Sequence, residues 1–252
     1  MKTICNFNAG PAMLPPSVLE QAQAELRDYQ GRGLSIMEMS HRSKEYEAVN
    51  ARAEASFKRL LGLADGYRVL FLQGGASTQF AMVPMNFLTP GVPADFLLTG
   101  AWAEKAYEEA GGMGKARVAA STKGEGYRRV PSPSEIDVKP DAAYVHLTSN
   151  ETIHGIQWHS FPDVGDRPLV ADMSSDILSR PVDVGKFALI YGGAQKNLGP
   201  AGVTAVLLRE AWLAKANKGV PTMLRYATHV KNNSLYNTPP SFGVYVLNLV
   251  LQ

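Results

Sequence analysis

Apolar and polar positions along the chain follow two periodicities in turn. Short continuous apolar runs, such as YRVLFL and ADFLLTG, are bounded by turn residues and are typical of buried strands. Segments that repeat apolar residues every three or four positions follow them, as in QFAMVPMNFL and AWAEKAYEEAG, and these predict helices. Strands that alternate with helices favour an α/β fold with a mostly parallel central sheet covered by helices.

The same alternation continues toward the C-terminus. Four further apolar runs predict strands, namely KARVAAS, AAYVHLTS, PLVADMS and FALIYGG. The glycine-rich stretch AGGMGK follows a predicted helix rather than a strand, so it favours a helix C-terminus over a nucleotide-binding loop.

Helices are also predicted at both ends of the chain. Ser17 can cap a helix that runs to about Gln30. One face of this helix would carry Val18, Ala22, Leu26 and Tyr29. The segment KEYEAVNARAEASFKRLLG predicts a second helix that ends at Gly62. A last helix is predicted in VYVLNLVLQ, and its apolar residues belong either to the core or to an exposed apolar face. They are Val244, Leu247 and Val250.

Composition restricts the classes of function. The 252 residues are 45% hydrophobic, enough to bury a large core, and the net charge of +2 without a basic block argues against a nucleic-acid partner. The single cysteine, Cys5, excludes an internal disulfide and a multi-cysteine metal site. No apolar run is long enough to span a membrane or to serve as a signal peptide. We expect a cytoplasmic protein without a resident metal or a membrane partner.

Polar or aromatic side chains follow several of the predicted strands. They are Ser77, Thr78, Trp102, Thr152, Asp172, Gln195 and Lys196. Ligands of α/β proteins gather at the carboxyl ends of parallel strands, so these positions predict a pocket.

The segment GGAST is predicted as a turn between a strand and a helix. Its small residues allow backbone N–H groups to approach an anion, and the helix dipole favours a phosphate there. An ordinary helix cap explains the same residues equally well. Neither the Walker pattern nor the strict dinucleotide-binding pattern is present.

Lys196 and Asp172 indicate a specific chemistry when they are taken together. A partly desolvated amine can form a Schiff base, and a carboxylate at another strand end can pair with a protonated ring nitrogen. Pyridoxal phosphate requires both partners, and Trp102 could cover its ring. Each residue also has an ordinary interpretation, as a solvated turn lysine, a capping aspartate and a core tryptophan.

These residues lie in eight blocks that resemble, in the same order, the phosphoserine aminotransferase family. Members are pyridoxal-phosphate enzymes of the class V group and the aspartate-aminotransferase fold type, called fold type I. The blocks are FNAGPAMLP, SHRSKEY, FLQGGAST, TGAWAEKA, SNETIHGIQW, ADMSSD, YGGAQKNLGPAGV and NTPPSF. The resemblance covers essentially the whole chain. It implies an N-terminal segment over residues 1–14 and a cofactor-binding large domain over residues 15–252.

The resemblance also implies roles for the residues at the strand ends. Lys196 would bind the cofactor's aldehyde covalently, and Asp172 would pair with the pyridine nitrogen. Trp102 would stack on the ring, and Thr152 would approach the 3′-oxygen.

Phosphate and substrate contacts follow from the same resemblance. Three residues would hold the cofactor's phosphate, namely Ala76, Ser77 and Gln195. Asn237 and Thr238 would reach the phosphate of the neighbouring subunit's cofactor, so the active form would be a homodimer with shared sites. His41 and Arg42 would bind an acidic group of the substrate, for which a guanidinium fork is the suitable donor.

The implied reaction is amino transfer between O-phospho-L-serine and 2-oxoglutarate, which gives 3-phosphohydroxypyruvate and glutamate in serine biosynthesis. Lys196 would move a proton between the substrate's Cα and the cofactor's C4′. Relatives also process a phosphorylated hydroxythreonine on the route to pyridoxal phosphate, and nothing in the sequence decides whether this chain does.

The chain departs from the family at its end. Family members continue past the segment VYVLNLVLQ into a C-terminal small domain that supplies an arginine for the substrate's α-carboxylate. The resemblance therefore implies a chain that lacks this domain, binds the cofactor and transaminates weakly or not at all. A non-catalytic, dimeric cofactor-binding fragment is the main alternative. A cysteine desulfurase would need a nucleophilic thiol on a mobile loop, for which only Cys5 is available.

Overall fold

The computed structural model describes residues 4–252. Its α-helices are α1 (Pro16–Ala24), α2 (Lys44–Leu61), α3 (Gly75–Phe87), α4 (Ala101–Met113), α5 (Glu210–Leu213), α6 (Tyr226–Lys231) and α7 (Ser241–Val250). Its strands are β1 (Tyr67–Leu72), β2 (Ala94–Leu98), β3 (Ala116–Ser121), β4 (Val145–Thr148), β5 (Asn150–Glu151), β6 (Ile156–Gln157), β7 (Leu169–Asp172), β8 (Leu189–Gly193) and β9 (Thr204–Arg209).

Seven strands form one mixed sheet in the order β1-β9-β8-β7-β4-β2-β3. From β8 to β3 in this order, neighbouring strands are parallel. β9 runs antiparallel to both β8 and β1. β1 therefore points the same way as β8, and every strand of this sheet except β9 ends at one edge. The predicted α/β fold with a mostly parallel sheet is confirmed.

Both faces of the sheet are buried, which explains why its strands are continuous apolar runs. Successive side chains of a strand point to opposite faces. Leu70 packs with the buried residues of α3 and α4, and its neighbour Phe71 packs with those of α2 and α7. The helices thus cover the two faces of the sheet but not the ends of its strands, and the edge formed by the carboxyl ends can hold a ligand.

Helix α2 matches its prediction closely. Ser43 caps it by accepting a hydrogen bond from the N–H of Tyr46 at 3.3 Å, and Gly62 ends it in the left-handed conformation, with φ of 59°. The buried residues recur every three or four positions and form one stripe toward the core. They are Tyr46, Val49, Asn50, Ala53 and Phe57.

Helix α1 is shorter than predicted and is capped differently. It begins one residue before Ser17, which is exposed inside the first turn and makes no capping hydrogen bond. It ends at Ala24 rather than near Gln30. The chain then folds back on itself, since the Asp28 carboxylate accepts a hydrogen bond from the N–H of Gly33 at 2.7 Å.

The predicted apolar face of α1 is only partly present. Val18 and Ala22 are buried on the helix, whereas Leu26 lies beyond it and is 39% exposed. Tyr29 is buried in the turn that follows, where its ring contacts Tyr245 edge to face at a centroid distance of 5.7 Å. Tertiary packing therefore buries this tyrosine without helical periodicity.

Helix α3 begins earlier than predicted. The last four residues of GGAST form its first turn rather than a separate loop, because α3 starts at Gly75. The Thr78 hydroxyl donates a hydrogen bond to the carbonyl of Gly74 at 3.0 Å, which closes this turn. Ser77 consequently lies on the N-terminal end of a helix, next to its unpaired backbone N–H groups.

The remaining differences concern the second half of the chain. The antiparallel strand β9, second from one edge of the sheet, and the hairpin of β5 and β6 were not predicted. Of the two alternatives for the last helix, the core is correct, because Val244 and Leu247 are fully buried and Val250 is half-buried. Within residues 4–252, no helix combines the length and apolar content needed to cross a membrane.

Replacing Ser43 with alanine should lower the free energy of unfolding by about 1 kcal/mol, because the N–H of Tyr46 loses its capping oxygen. Ser17→Ala is the matched control, and it should change stability by less than about 0.5 kcal/mol, because this serine caps nothing. Urea unfolding followed by far-UV circular dichroism measures both values. Equal losses would contradict the assignment of Ser43 as the cap.

Candidate active site

The predicted strand-end residues are placed at the open edge of the sheet. Asp172 is the last residue of β7, and Lys196 follows β8 by three residues. Trp102 lies in the first turn of α4, directly after β2, and Thr152 follows the short strand β5. The parallel strands β2, β7 and β8 bring Trp102, Asp172 and Lys196 to one side of the molecule, and the separate hairpin of β5 and β6, which follows β4, adds Thr152.

Three of these side chains touch one another. The Thr152 hydroxyl oxygen accepts hydrogen bonds from Lys196 Nζ at 3.0 Å and from Trp102 Nε1 at 3.1 Å. Lys196 Nζ also lies 5.1 Å from the centroid of the Trp102 ring, within the range of a cation–π interaction. Lys196 is therefore not a solvated turn lysine. Its amine is held beside a hydroxyl group and over an aromatic face.

Asp172 is buried close to this group. Its Oδ1 accepts hydrogen bonds from the backbone N–H of Ser174 at 2.9 Å and from the Ser174 hydroxyl at 2.6 Å. The Ser174 hydroxyl oxygen in turn accepts a hydrogen bond from the N–H of Gly193 at 3.0 Å. Both hydrogen bonds to the carboxylate within residues 4–252 use Oδ1, so Oδ2 can meet a cationic group.

Opposing effects act on the ionisation of Asp172. Burial raises the pKa of its carboxyl group, and the hydrogen bonds from Ser174 and the positive charge of Lys196 lower it. Burial is the largest of these effects and the charge of the buried Asp176 adds to it, so the pKa of Asp172 is raised overall; a cationic group at Oδ2 would favour the ionised form. An ionised carboxylate here is suited to hold a protonated ring nitrogen.

A second buried carboxyl group, Glu151, was missed by the sequence analysis. It is fully buried, and its two oxygens accept hydrogen bonds from the backbone N–H groups of Trp102 at 3.0 Å and Ala103 at 2.8 Å. Burial raises the pKa of Glu151 to about 7, against the effect of both N–H groups; the charge of Asp172 raises it further and that of Lys196 lowers it. Only its position next to Thr152 could have drawn attention to it.

The N-terminal segment also reaches the site, which the sequence analysis did not foresee. The N–H of Ala12 donates a hydrogen bond to the carbonyl of Gln195 at 2.7 Å. A Cβ atom on Gly10 would lie 3.0 Å from Cγ of Lys196, and the φ of 155° at this glycine disfavours other residues. The glycine in the FNAGPAMLP block was the available signal.

The first turn of α3 forms another wall at this edge. Gly74 precedes it with φ of 89°, Ala76 is half-buried, and Ser77 is exposed. Helix α3 begins three residues after β1, whose carboxyl end lies at this edge, so its N-terminus lies at the same edge of the sheet as Lys196 and Trp102. The free N–H groups and the dipole of this helix end suit a phosphate group.

Two predicted pairs form no hydrogen bond with the lysine among residues 4–252. His41 is buried and Arg42 is exposed, just before α2. Among residues 4–252, no hydrogen bond or ion pair joins either of them to Lys196. Asn237 and Thr238 lie at the end of β1 instead, where Gln73 Nε2 donates a hydrogen bond to the carbonyl of Thr238 at 3.2 Å.

These side chains fit pyridoxal phosphate. An amine beside a hydroxyl group can hold the aldehyde next to the 3′-oxygen, and a flat indole face is available to the ring. The buried Asp172 carboxylate keeps Oδ2 for the pyridine nitrogen, and the α3 N-terminus can take the phosphate. The fit rests on donor geometry and on burial.

The raised pKa of Glu151 predicts that stability falls as the pH rises. Its carboxyl group has a pKa of about 7 in the folded chain and 4.5 as its ordinary value, so between these values only the folded chain keeps the proton. The free energy of unfolding should therefore lose about 2 kcal/mol through this group between about pH 5 and pH 8. The side chain of Glu151→Gln does not titrate, so this variant should not show the loss. Urea unfolding at both pH values tests this, and parallel pH profiles of the two proteins would contradict it.

Comparisons with known proteins agree with this geometry. The family model described as aminotransferase class-V matches residues 4–252. A phosphoserine aminotransferase from Herpetosiphon aurantiacus is 65% identical over 249 residues, which are 99% of this chain and 69% of the relative. The chain thus spans about 69% of the length of this relative.

Solved structures give the same result. A phosphoserine aminotransferase from Bacillus circulans subsp. alkalophilus superposes with a TM-score of 0.96 at 61% identity, over 98% of this chain and 68% of that one. A phosphoserine aminotransferase from Trichomonas vaginalis with bound pyridoxal phosphate superposes with a TM-score of 0.93 at 38% identity, over 98% and 73%. With this fold and this site, the chain belongs to the class-V aminotransferase family.

Proposed function

We propose that this chain transfers the amino group of O-phospho-L-serine to 2-oxoglutarate, giving 3-phosphohydroxypyruvate and glutamate in serine biosynthesis. The observation that carries the proposal is the contact of Lys196, Thr152 and Trp102 beside the buried Asp172. High identity to phosphoserine aminotransferases supports the choice of substrate. A cytoplasmic location also belongs to the proposal and fits a chain with one cysteine, the exposed Cys5.

Pyridoxal phosphate supplies an electron sink for the substrate's α-carbon when it is bound. Lys196 would hold its aldehyde, Thr152 its 3′-oxygen and Trp102 its ring face. Asp172 would hold the pyridine nitrogen in its protonated form, because the positive ring nitrogen would act together with Ser174 and Lys196 against burial, which raises the pKa of this carboxyl group. Three residues would hold the phosphate: Ala76, Ser77 and Gln195.

Lys196 is also the proposed acid and base. Its Nζ carries the proton that is moved at the substrate's Cα, and the Thr152 hydroxyl keeps this nitrogen at a defined distance of 3.0 Å. The indole of Trp102 and the N-terminal segment at Gly10 enclose the side chain and limit the entry of water. Proton transfer then stays directed to the substrate.

Arg42 and His41 are the proposed binding residues for the substrate's phosphate. The Arg42 guanidinium is exposed and makes no ion pair among residues 4–252, so its five donors remain available to a dianion. The substrate's phosphate is negatively charged, so a buried carboxylate could not take the place of this guanidinium. This role concerns binding rather than proton transfer.

We further propose a homodimer in which each active site uses residues of both subunits. Asn237 and Thr238 lie on the surface at the end of β1, where they could approach a neighbouring cofactor's phosphate. Residues 15–252 would form the large cofactor-binding domain, and residues 1–14 an N-terminal segment. The contacts of Gly10 and Ala12 with the lysine loop make this segment part of the site wall.

Adding O-phospho-L-serine to the yellow, cofactor-loaded protein should bleach its visible absorption band, and 2-oxoglutarate should restore it. Lys196→Ala should slow bleaching at least about a hundredfold, because the proton at Cα loses its acceptor. Unphosphorylated serine is the matched control and should bleach the band far more slowly. A yellow protein whose band stays unchanged would support the second candidate, a non-catalytic cofactor-binding dimer. A protein that shows no visible band would contradict both candidates, because both bind the cofactor.

Subunit mixing tests the shared sites. Lys196→Ala and Asn237→Asp should each be nearly inactive alone, the first without its amine and the second with a negative charge facing the phosphate. A refolded equimolar mixture should regain about a quarter of wild-type activity, because half of the dimers then contain one intact site. A mixture as inactive as its parents would show that each site is built from a single chain.

A further inference from the structure

The buried Glu151 has no role in the chemistry derived above, although it lies beside the residues that carry it. Its carboxylate caps the first turn of α4 from another part of the chain, through the N–H groups of Trp102 and Ala103. The residue is fully buried, so these contacts are shielded from water and are stronger than surface contacts would be.

Consecutive residues hold the two ends of Trp102. Glu151 accepts the hydrogen bond of its backbone N–H at 3.0 Å, and Thr152 accepts that of its indole Nε1 at 3.1 Å. Thr152 also receives the hydrogen bond of Lys196. If Glu151 shifted, the backbone N–H of Trp102 would move with it. The indole Nε1 would stay bonded to Thr152, so the plane of the ring would tilt.

Gly100 provides an independent observation. Its φ of 168° lies in the extended region that any residue adopts, so the backbone does not require glycine here. The available space requires glycine instead, because a Cβ atom on residue 100 would lie 2.5 Å from Cδ and 2.6 Å from Oε2 of Glu151. The chain leaves room at this position for the carboxylate and for nothing else.

We propose that Glu151 is a positioning residue that fixes the indole of Trp102, and with it the surface against which the cofactor ring lies. This inference rests on the proposed function. The ordinary alternative is that Glu151 only stabilises the α4 N-terminus, as any acidic residue in that position would.

Glu104 supplies the control for that alternative. Glu104 lies in the first turn of α4 itself, and its carboxylate pairs with Lys123 at 2.5 Å rather than with an N–H group of Trp102. Replacing either acid removes a negative charge from the same helix end. Only the replacement of Glu151 removes a contact of Trp102.

The experiment compares Glu151→Ala with Glu104→Ala in three measurements, the last of which is the affinity for pyridoxal phosphate from a titration of its visible band. In the cofactor-free protein, acrylamide quenching of tryptophan fluorescence reports mainly on the half-buried Trp102, because Trp158 and Trp212 are buried. A Trp102→Phe protein supplies the background signal. In the loaded protein, the visible circular dichroism of pyridoxal phosphate reports on the orientation of its ring.

Glu151→Ala should increase quenching of Trp102, reduce the visible dichroism and weaken binding of pyridoxal phosphate by about tenfold. Glu104→Ala should leave all three at their wild-type values. Gly100→Ala should reproduce the effect of Glu151→Ala, because its methyl group displaces the carboxylate. Glu151→Gln, which keeps one acceptor oxygen, should restore most of the signal.

Identical quenching and dichroism in Glu151→Ala and Glu104→Ala would overturn the inference. If Glu151→Ala does not fold, Glu151→Gln and Gly100→Ala decide by the same comparison with Glu104→Ala. Failure of the proposed function is separate, because it would show in the wild-type protein as a band that phosphoserine does not bleach. The quenching measurement needs no cofactor and tests the position of the indole by itself.

Discussion

The ammonium group of Lys196 shares the carboxyl edge of the sheet with buried carboxyl groups, among them Asp172 and Glu151, and the site depends on how these charges are neutralised. An unpaired buried carboxylate is costly, so each must have donors nearby. Lys196 lowers the pKa of both acids but forms a hydrogen bond with neither, since its amine is bound to Thr152. The charge of the lysine thus acts on both acids while its nitrogen remains accessible.

The two acids obtain their hydrogen bonds in different ways. Asp172 uses a residue two positions away, Ser174, which is itself fixed by the N–H of Gly193 on the neighbouring strand. Glu151 uses the end of a helix that begins about fifty positions earlier in the chain. The first arrangement is local and is built into the sheet. The second links the β5 and β6 hairpin to α4, so the relative position of these two elements depends on it.

The sequence alone predicted the parts of the fold in which apolar residues recur with the period of a strand or a helix. Strand ends could be located from apolar runs bounded by turn residues, and parallel pairing then places Trp102, Asp172 and Lys196 at one edge. Thr152 reaches this edge through the hairpin of β5 and β6, which was not predicted. The chemistry of a lysine and an acid at that edge, together with the family resemblance, indicated the cofactor. This part of the site follows from topology.

The rest depends on contacts between distant segments, which no local pattern records. Glu151 has backbone N–H groups as its partners, and any sequence supplies those. Tyr29, which was predicted on the face of α1, is instead buried against a helix more than two hundred residues later. Strand β9 lies between two strands that run the opposite way, and a single apolar run carries no sign of its direction.

The position of the lysine amine narrows what the site can bind. Any planar group bonded to Nζ of Lys196 starts above the indole of Trp102 and within reach of the Thr152 hydroxyl. Free rotation about the lysine side chain would normally leave the orientation of such a group open. Here the indole limits it to one face, and the Asp172 carboxylate favours the orientation that brings a cationic ring atom toward the sheet. A flat ring with a hydroxyl group near its point of attachment and a basic nitrogen farther away matches the indole face, the Thr152 hydroxyl and the Asp172 carboxylate. An acyl or phosphoryl group can be bonded to Nζ, but it has no ring and no basic nitrogen to match the indole and the carboxylate.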